Sequence, residues 1–414
     1  MRKDFHMNTQ QRDFLKIISA ALTNQPPDFQ GYQLAEDWKR LHKISSEQKL
    51  SPMIYDQLYC LQVFQKAPAS LQQKWMGEAL AAAGKQVVQA ESFASVCDQL
   101  AGQGIRYAVL KGISCKVWYP KPELRPSGDE DILIDLKDAA KCDEILRSLH
   151  YDCEEEFSQI NLRETRELHY IARDMSLYLE VHLNAIGQEN ERNSKLNVLF
   201  EHSLEHTEEV QFEGRSFSVL EPTLQMIQVF AHFYRHFYEQ GAGIRQMLDI
   251  LLGLQKTGDR IDWQTFRTFL KDLKAEKLFA AMMNTGIDYF HMDLGMVPEE
   301  FIQKKVRPEM MLDDMFAGGI YGHGEDQERK LSGFLAMEVD TGKNRWMEIL
   351  FPSPVKLRDR YPRLHTKPYL YPYFIIRRWF ELFLEYGSGR EKRKLLKKRL
   401  DIAEARRKVL KYYR

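Results

Sequence analysis

The sequence predicts an α+β protein in which a small sheet of mixed strands lies between helical regions. Short apolar or alternating runs, which are typical of strands, fall within residues 101–220, and apolar residues recur at helical spacing on both sides of them. The chain has 414 residues, 44% of them hydrophobic and 29% charged. That length and composition predict a folded protein of two or three domains with a sizeable core.

Residues 1–100 are predicted to form a helical N-terminal region. Apolar side chains recur at helical spacing from residue 14 to residue 22, and the segment Asn24-Gln25-Pro26-Pro27 is expected to separate this helix from the next. Residues 71–100 are predicted to form one long alanine-rich helix that leads into the sheet. One apolar stripe of this helix is expected to pack into the core: Met76, Leu80, Ala83 and Val87.

Residues 101–220 are predicted to form the sheet. Residues 107–110 are a short apolar run typical of a buried strand, and Lys111-Gly112 follows where the chain can turn without a Cβ clash. The apolar run 132–134 and the alternating run 177–183 predict two further strands. A helix over residues 139–149, a strand over residues 169–172 and a hairpin that turns at Gly214 complete the predicted core.

Acidic side chains mark two of these strands as a candidate metal site. Asp129 and Asp131 are two residues apart, so on a strand they project from the same face, and Glu180 and His182 share the polar face of a later strand. Neighbouring carboxylates repel one another unless a divalent cation bridges them. Hard oxygen ligands in this number favour Mg²⁺ or Mn²⁺. If the two strands pair, the three carboxylates converge.

Residues 221–340 are predicted to form a helical domain. His232 and His236 lie four residues apart on one helix face. Zinc binding is disfavoured because the HExxH pattern is absent, which leaves a role in a substrate cleft or in the helical core. Arg245 and Asp249 are also spaced by four residues, and this pair fits either a salt bridge on the helix or side chains that line the cleft.

Residues 341–414 are predicted to form an aromatic and proline-rich segment followed by a basic helix. From residue 390 to the end the sequence has 12 basic and 3 acidic residues, a net charge of +9. Leu395, Ile402 and Val409 recur every seven residues along this helix. Such a helix is suited to weak contact with an anionic membrane or with RNA, or to docking on its own protein.

Composition excludes several other classes of protein. Basic and acidic residues both number 59, so the net charge gives no reason to expect general binding of polyanions. The five cysteines form no C-x-x-C pair, which argues against a disulfide framework and against a zinc knuckle. No apolar signal segment and no apolar run of about 18 residues is present. We therefore expect a cytoplasmic protein.

The order of the motifs resembles the DNA polymerase beta-type nucleotidyltransferase superfamily, and within it a branch of uncharacterised bacterial nucleotidyltransferases. The pattern consists of L-K-G, Y-P, R-x-x-G-D-x-D and E-x-H, here at residues 110–112, 119–120, 125–131 and 180–182. Residues 50–55, LSPMIY, resemble the helical lead-in of the family. An H-x-x-x-H pattern and an L-R-x-x-L-D pattern follow at 232–236 and 244–249, with Ile244 in place of the first Leu.

This resemblance implies transfer of a nucleoside monophosphate from a nucleoside triphosphate, with ATP expected, to an acceptor that the sequence does not identify. It also implies a mechanism with two Mg²⁺ ions, held by Asp129, Asp131 and Glu180. The implied nucleotide contacts are Lys111, Gly112, Ser114 and Arg125. The candidates for the acceptor side of the site are His182, His232, His236, Arg245 and Asp249.

Two departures from the family pattern leave a second hypothesis open. Glu130 stands where the family usually has an aliphatic residue, on the strand face opposite the metal site. Gly112-Ile113-Ser114 replaces the paired Gly-Gly or Gly-Ser of the superfamily. The alternative is therefore a protein that binds a nucleotide or a partner, keeps the fold and does not catalyse transfer. The sequence does not indicate the oligomeric state.

Overall fold

The computed structural model describes most of the chain. The described residues are 7–155, 157, 160–162, 165–187, 195–239, 241–303, 305–318, 351, 357, 361, 364, 367–386 and 404–414. Residues 319–350, part of the predicted aromatic and proline-rich segment and the first half of the predicted basic helix lie outside these residues.

Four helices form the N-terminal part, as the sequence predicts. They are α1 (Thr9–Thr23), α2 (Ala35–Glu47), α3 (Ser51–Leu58) and α4 (Ala69–Gly102). The Asn8 side chain caps α1 by accepting a hydrogen bond from the backbone amide of Gln11. Helix α1 ends at Asn24, whose backbone is left-handed, so the first break falls where it is predicted.

The apolar stripe that we expected α4 to bury is exposed instead. Met76, Leu80 and Val87 are 44%, 65% and 63% exposed. The opposite side of the helix faces the protein there and carries Gln86 and Gln89, which are buried because each amide nitrogen donates to a buried oxygen of the sheet segment. The expectation was wrong because α4 buries the side that carries Trp75, Ala79, Gln86 and Phe93, which is rotated by about 100° from the predicted stripe.

Seven strands form one mixed sheet in the order β3-β4-β5-β2-β1-β7-β6. Strand β2 is antiparallel to β1 and parallel to β5, and β1 is also parallel to β7. The strands are β1 (Tyr107–Val109), β2 (Glu130–Ile134), β3 (Tyr151–Cys153), β4 (Glu167–Ala172), β5 (Tyr178–His182), β6 (Thr207–Phe212) and β7 (Arg215–Leu220). The last two form the hairpin predicted at Gly214.

The remaining helices fall within the sheet region and after it. Helices α5 (Ile113–Lys116) and α6 (Ala139–Ser148) belong to the sheet region. The helices that follow the sheet are α7 (Pro222–Glu239), α8 (Ile244–Thr257), α9 (Trp263–Leu273), α10 (Glu276–Asp288), α11 (Glu309–Gly318) and α12 (Tyr371–Tyr386). Residues 404–413 are also helical.

Two hydrophobic cores meet around the start of the sheet. The larger core joins the N-terminal helices to the helices that follow the sheet, and Phe14, Trp75 and Phe230 are among its fully buried side chains. The second core packs the end of α4 against the sheet, for example through Phe93 and Phe217, whose rings stack 5.7 Å apart. Because α4 contributes to both cores, it holds the sheet and the helical part together.

The C-terminal helical residues pack against the protein itself. Val409, Leu410 and Tyr413 are buried in the larger core, and Arg406 donates a hydrogen bond to the carbonyl oxygen of Phe237 at 2.7 Å. This is the docking alternative named above, and the described residues give no support to contact with a membrane or with RNA. Among the described residues, no helix combines the length and the apolar character that crossing a bilayer requires.

Candidate active site

A cleft with about 390 Å³ of empty space, part of it open to solvent, separates the sheet from helices α7 and α8. Lys111, Asp129 and Asp131 line it from the sheet side. His232 on α7 and Asp249 on α8 line it from the helical side. Residues that the sequence singled out more than 100 positions apart therefore share one cleft.

The pairing of β2 with β5 brings Asp131, Glu180 and His182 together. Asp131 lies directly opposite Glu180 in this parallel pair. His182 Nε2 donates to Asp131 Oδ1 at 3.0 Å and lies 3.5 Å from Glu180 Oε2. One ligand atom from each of the three residues lies within 4.8 Å of the other two. A single ion placed among them would therefore be within reach of all three.

The three carboxylates of the site, Asp129, Asp131 and Glu180, differ in how readily they ionise. Burial would raise the pKa of Asp131, but the charge of Lys111 and the hydrogen bond from His182 outweigh it and lower that pKa, so Asp131 stays ionised. Burial and the negative charge of Asp131 raise the pKa of both Asp129 and Glu180. The site therefore holds one firmly ionised carboxylate beside two that are reluctant to ionise without more positive charge.

The donor set fits a divalent cation. Asp131 Oδ2 is buried and has no hydrogen-bond partner among the described residues, which is costly for a carboxylate oxygen unless a cation meets it. The carboxylate oxygens of Asp131 and Glu180 suit Mg²⁺ or Mn²⁺, whereas Nε2 of His182 already donates to Asp131. Asp129 lines the same cleft but lies outside this tight group. The structure thus places His182, and not Asp129, next to the Asp131–Glu180 pair.

Lys111 joins the sheet side of the cleft to the helical side. Its ammonium lies 2.7 Å from Asp131 Oδ1 and 3.1 Å from Nδ1 of His232. Burial, followed by the charge of Lys111, lowers the pKa of His232, so this imidazole is neutral and accepts from the lysine. The ring of His236 packs edge-on against it, with ring centroids 4.3 Å apart. One face of α7 thus lies against the acidic side of the site.

Arg125 is bound to Asp249 by two hydrogen bonds. Its Nε and Nη2 donate to the two carboxylate oxygens at 2.8 and 2.7 Å, and the hydroxyl of Tyr119 donates to the same carboxylate at 2.8 Å. Arg245 donates to the carbonyl oxygen of Pro126 at 2.6 Å. The Y-P, R-x-x-G-D-x-D and L-R-x-x-L-D motifs therefore meet in one buried network. Nη1 of Arg125 has no partner among the described residues.

Glu130 explains why the turn after β1 requires glycine. Its carboxylate accepts from the amide of Ile113 at 2.8 Å and from Lys116 Nζ at 2.9 Å. Gly112 has φ +71°, and a Cβ there would lie 1.7 Å from Glu130 Oε2. The glycine thus makes room for Glu130, which satisfies the first amide of α5 from the face opposite the cleft.

Ser114 does not reach the cleft. It is 2% exposed, and its hydroxyl accepts from the side-chain amide of Gln225 on α7 at 3.3 Å. The expectation that Ser114 contacts the nucleotide is not met in this arrangement, because Gln225 packs over the hydroxyl. His182 is fully buried as well, so it contacts acids of the site and not the open part of the cleft.

Glu167 is a site residue that the sequence analysis missed. It pairs with His182 across β4 and β5, and its Oε2 lies 3.4 Å from His182 Nδ1. His182 is thus held between two carboxylates, which raise its pKa although burial opposes them. The signal was present in the sequence, because Glu167 and His169 alternate with apolar residues in the way that Glu180 and His182 do.

The structure is a mixed α+β protein in which Asp131 and Glu180 lie side by side next to Lys111 and the glycine turn. A family model described as an uncharacterised nucleotidyltransferase matches residues 35–285, and the chain belongs to this family. The match spans more than half of the chain and includes every candidate site residue from Lys111 to Asp249. No curated protein shows a significant match to the chain.

Proposed function

We propose that the protein transfers a nucleoside monophosphate from a nucleoside triphosphate, with ATP expected, to an acceptor, on a polymerase beta-type core formed by residues 101–220. The observation that carries this proposal is the Asp131–Glu180 pair. Two carboxylates face each other on neighbouring strands, and one buried oxygen of Asp131 lacks a partner among the described residues. Membership of the nucleotidyltransferase family supports the same reaction class.

Asp131 and Glu180 would hold Mg²⁺ or Mn²⁺, with Asp129 as a further ligand from the same cleft. When bound, the metal ions supply positive charge to the phosphate oxygens and to the leaving pyrophosphate, and two of them are expected. His182 keeps Asp131 oriented through its 3.0 Å hydrogen bond. Glu167 Oε2 lies 3.4 Å from the other ring nitrogen of His182, within ion-pair distance but without a hydrogen bond.

Lys111, Gly112 and Arg125 are the proposed nucleotide contacts. The side chain of Lys111 is 13% exposed, and its ammonium lies at the acids, where it can meet a phosphate oxygen as well as Asp131. Arg125 is held by Asp249, so its free Nη1 is oriented without further loss of side-chain freedom. Gly112 brings the backbone to the cleft edge. Ser114 would join these contacts only if the Gln225 contact opened.

Glu180 is the proposed proton acceptor. Its raised pKa reflects burial and the charge of Asp131, so a base is available there when positive charge enters the site. The acceptor would approach from the helices of residues 221–340. His232, His236, Arg245 and Asp249 are the proposed residues on that side. His182 acts through Asp131 in this proposal and not on the acceptor.

One observation favours the alternative of binding without transfer. Glu130 already accepts a hydrogen bond from the first backbone amide of α5, so this donor is not available to a phosphate. A protein with this feature could hold a nucleotide and present its helices to a partner without catalysis. The two functions differ in whether pyrophosphate is released.

A pyrophosphate assay with each of the four nucleoside triphosphates, Mg²⁺ or Mn²⁺ and a panel of acceptors tests the proposal. We expect metal-dependent release that Glu180→Gln reduces by roughly 100-fold, the scale of one acid–base group. Glu201→Gln, which removes an exposed carboxylate, is the matched control and should leave the rate unchanged. Tight nucleotide binding without release for any acceptor would support the non-catalytic alternative.

A further inference from the structure

A group of cationic and imidazole side chains lies around Lys111 and Glu167. Arg166 directly precedes β4, and α7 contributes His232, Arg235 and His236. We call these four residues the cationic wall. Its members were not among the nucleotide contacts, and two of them, Arg166 and Arg235, were not singled out by the sequence.

The geometry of the wall follows from α7. His232 and His236 are one helical turn apart and in ring contact, and His232 touches Lys111. Arg235 lies on the same helix, and its charge acts on both imidazoles and on Glu167. Arg166 Nε lies 3.3 Å from Glu167 Oε2, so Arg166 faces the carboxylate that also lies beside His182.

The four residues of the wall include two arginines and no carboxylate. Asp131 is paired with Lys111, and Glu167 is shared between Arg166 and His182. Within the part of the chain that the structure describes, no carboxylate lies in ion-pair distance of Arg235, and its Nε is buried without a hydrogen-bond partner. A half-buried guanidinium without a counter-charge is unfavourable in free energy unless an anion binds to it.

The two imidazoles add donors to this wall and no charge. Burial and the neighbouring cations lower the pKa of His232, and they lower the pKa of His236 to about 2, so both rings are neutral at pH 7. A neutral imidazole offers one N–H donor. The wall thus combines guanidinium forks, which match the oxygens of a phosphate, with neutral donors beside them.

The wall borders the proposed triphosphate contacts at His232, which touches Lys111, and extends away from them at Arg166. Lys111 and Gly112 follow β1, on one side of β2, whereas Arg166 precedes β4, two strands away on the other side of β2. The Asp131–Glu180 pair lies between them. An anion held at the Arg166 end of the wall would therefore lie across the acids from the nucleotide phosphates, where the acceptor is expected.

We infer that the acceptor carries a phosphate group and that Arg235 and Arg166, together with His236, bind it. The identification of the bound molecule as the acceptor rests on the proposed function. The anion site itself does not depend on nucleotidyl transfer. In this account the phosphate group serves for binding only. The attack on the α-phosphorus and the departure of pyrophosphate are as proposed above.

Calorimetric titration with inorganic phosphate tests the site, first on the free protein and then on protein saturated with a non-hydrolysable ATP analogue and Mg²⁺. We expect phosphate to bind in both states. Arg235→Gln should weaken phosphate binding by roughly tenfold or more, as for loss of a charge-assisted contact. The affinity of the Arg235→Gln variant for the ATP analogue should change by less than about twofold. Arg260→Gln, an exposed arginine paired with Glu208, is the matched control and should change neither affinity.

Arg235→Lys, which keeps the charge, guards against a folding defect and should retain part of the phosphate affinity. The inference is overturned if phosphate does not bind the wild-type protein. It is also overturned if Arg235→Gln weakens the ATP analogue as much as phosphate, because the wall would then hold the triphosphate. Acetate binding as tight as phosphate would contradict the phosphate specificity. Phosphate binding through Arg235 without any binding of the ATP analogue would support the anion site and contradict nucleotidyl transfer.

Discussion

Asp131 meets two cationic partners at one carboxylate oxygen and leaves the other oxygen free. Lys111 and His182 both contact Oδ1, while Oδ2 is buried without a partner among the described residues. These contacts keep Asp131 ionised, whereas its charge disfavours ionisation of Asp129 and Glu180. A divalent cation would relieve both conditions at once, which is the residue-level basis of the proposed metal site.

At the residue scale, the buried ion pair between Arg125 and Asp249 is the contact whose contribution to stability is easiest to test. Both are less than a tenth exposed, and two hydrogen bonds join them. Asp249→Asn keeps the size of the side chain but leaves a buried guanidinium without a counter-charge. We expect a loss of about 3–5 kcal/mol in the free energy of unfolding, measured by denaturant titration. Weaker binding of nucleoside triphosphates should accompany it, because Arg125 loses its orientation.

Asp259→Asn is the matched control for this substitution, since Asp259 is exposed at the end of the same helical segment. It should change the free energy of unfolding by no more than about 0.5 kcal/mol. Equal effects of the two substitutions would show that the Arg125–Asp249 pair does not link the sheet to α8.

Helix α5 and the glycine before it provide the first test at the scale of elements. A side chain at Gly112 would need a positive φ and would collide with the Glu130 carboxylate. Gly104 also has a positive φ, of +74°, but nothing lies within 4 Å of the position that a Cβ would take there. Gly104→Ala should therefore cost about 1–3 kcal/mol for backbone strain alone. Gly112→Ala should cost about 1–3 kcal/mol more, for the collision.

Thermal or denaturant unfolding of the two alanine variants measures this difference. A larger loss for Gly112→Ala is expected because Glu130 must leave the amide of Ile113 or the backbone must move. Similar losses for the two variants would mean that Glu130 does not occupy the space beside Gly112.

Helix α4 offers a second test, because two of its leucines have opposite environments. Leu100 is fully buried in the sheet core, whereas Leu80 is 65% exposed. Leu100→Ala should lower the free energy of unfolding by about 2–5 kcal/mol. Leu80→Ala should change it by no more than about 0.5 kcal/mol. A large loss for Leu80→Ala would restore the expectation from the sequence that the stripe of Met76, Leu80 and Val87 belongs to the core.

The elements show what the sequence could predict and what it could not. The alternation in residues 177–183 predicts a strand with Glu180 and His182 on one face, because strand periodicity is local. The buried face of α4 could not be predicted, since Gln86 and Gln89 are buried through hydrogen bonds to partners 41 residues away. The burial of Ser114 likewise depends on Gln225, 111 residues further along the chain.

At the scale of the whole molecule, the cleft lies where the sheet meets the helical core. The N-terminal helices and the helices after the sheet share one core, and α4 continues from that core into the sheet core. The sheet side and the helical side of the cleft are therefore held together by packing and by the Arg125–Asp249 pair. This packed frame keeps the acids on the sheet side of the cleft at a set distance from His232 on the helical side.

The C-terminal helical residues complete this frame. Tyr413 is fully buried, and its hydroxyl donates to the carbonyl oxygen of Arg307 at 2.7 Å and accepts from the amide of Met311 at 3.1 Å. Tyr413→Ala should lower the free energy of unfolding by about 3–5 kcal/mol in a denaturant titration. Tyr412→Ala, at a neighbouring site that is 36% exposed, should lower it by about 1 kcal/mol or less. Equal effects would argue against docking of this segment.

The central claim is that Asp131 and its neighbours hold a divalent cation together with a nucleoside triphosphate. Electron paramagnetic resonance titration of Mn²⁺, with and without a non-hydrolysable ATP analogue, measures this directly. We predict that the wild-type protein binds Mn²⁺ more tightly when the analogue is present. Asp131→Asn, which removes one charge and little volume, should weaken that binding by roughly tenfold or more because a charged ligand is lost. Equal Mn²⁺ affinity in the wild type and in Asp131→Asn would contradict the account.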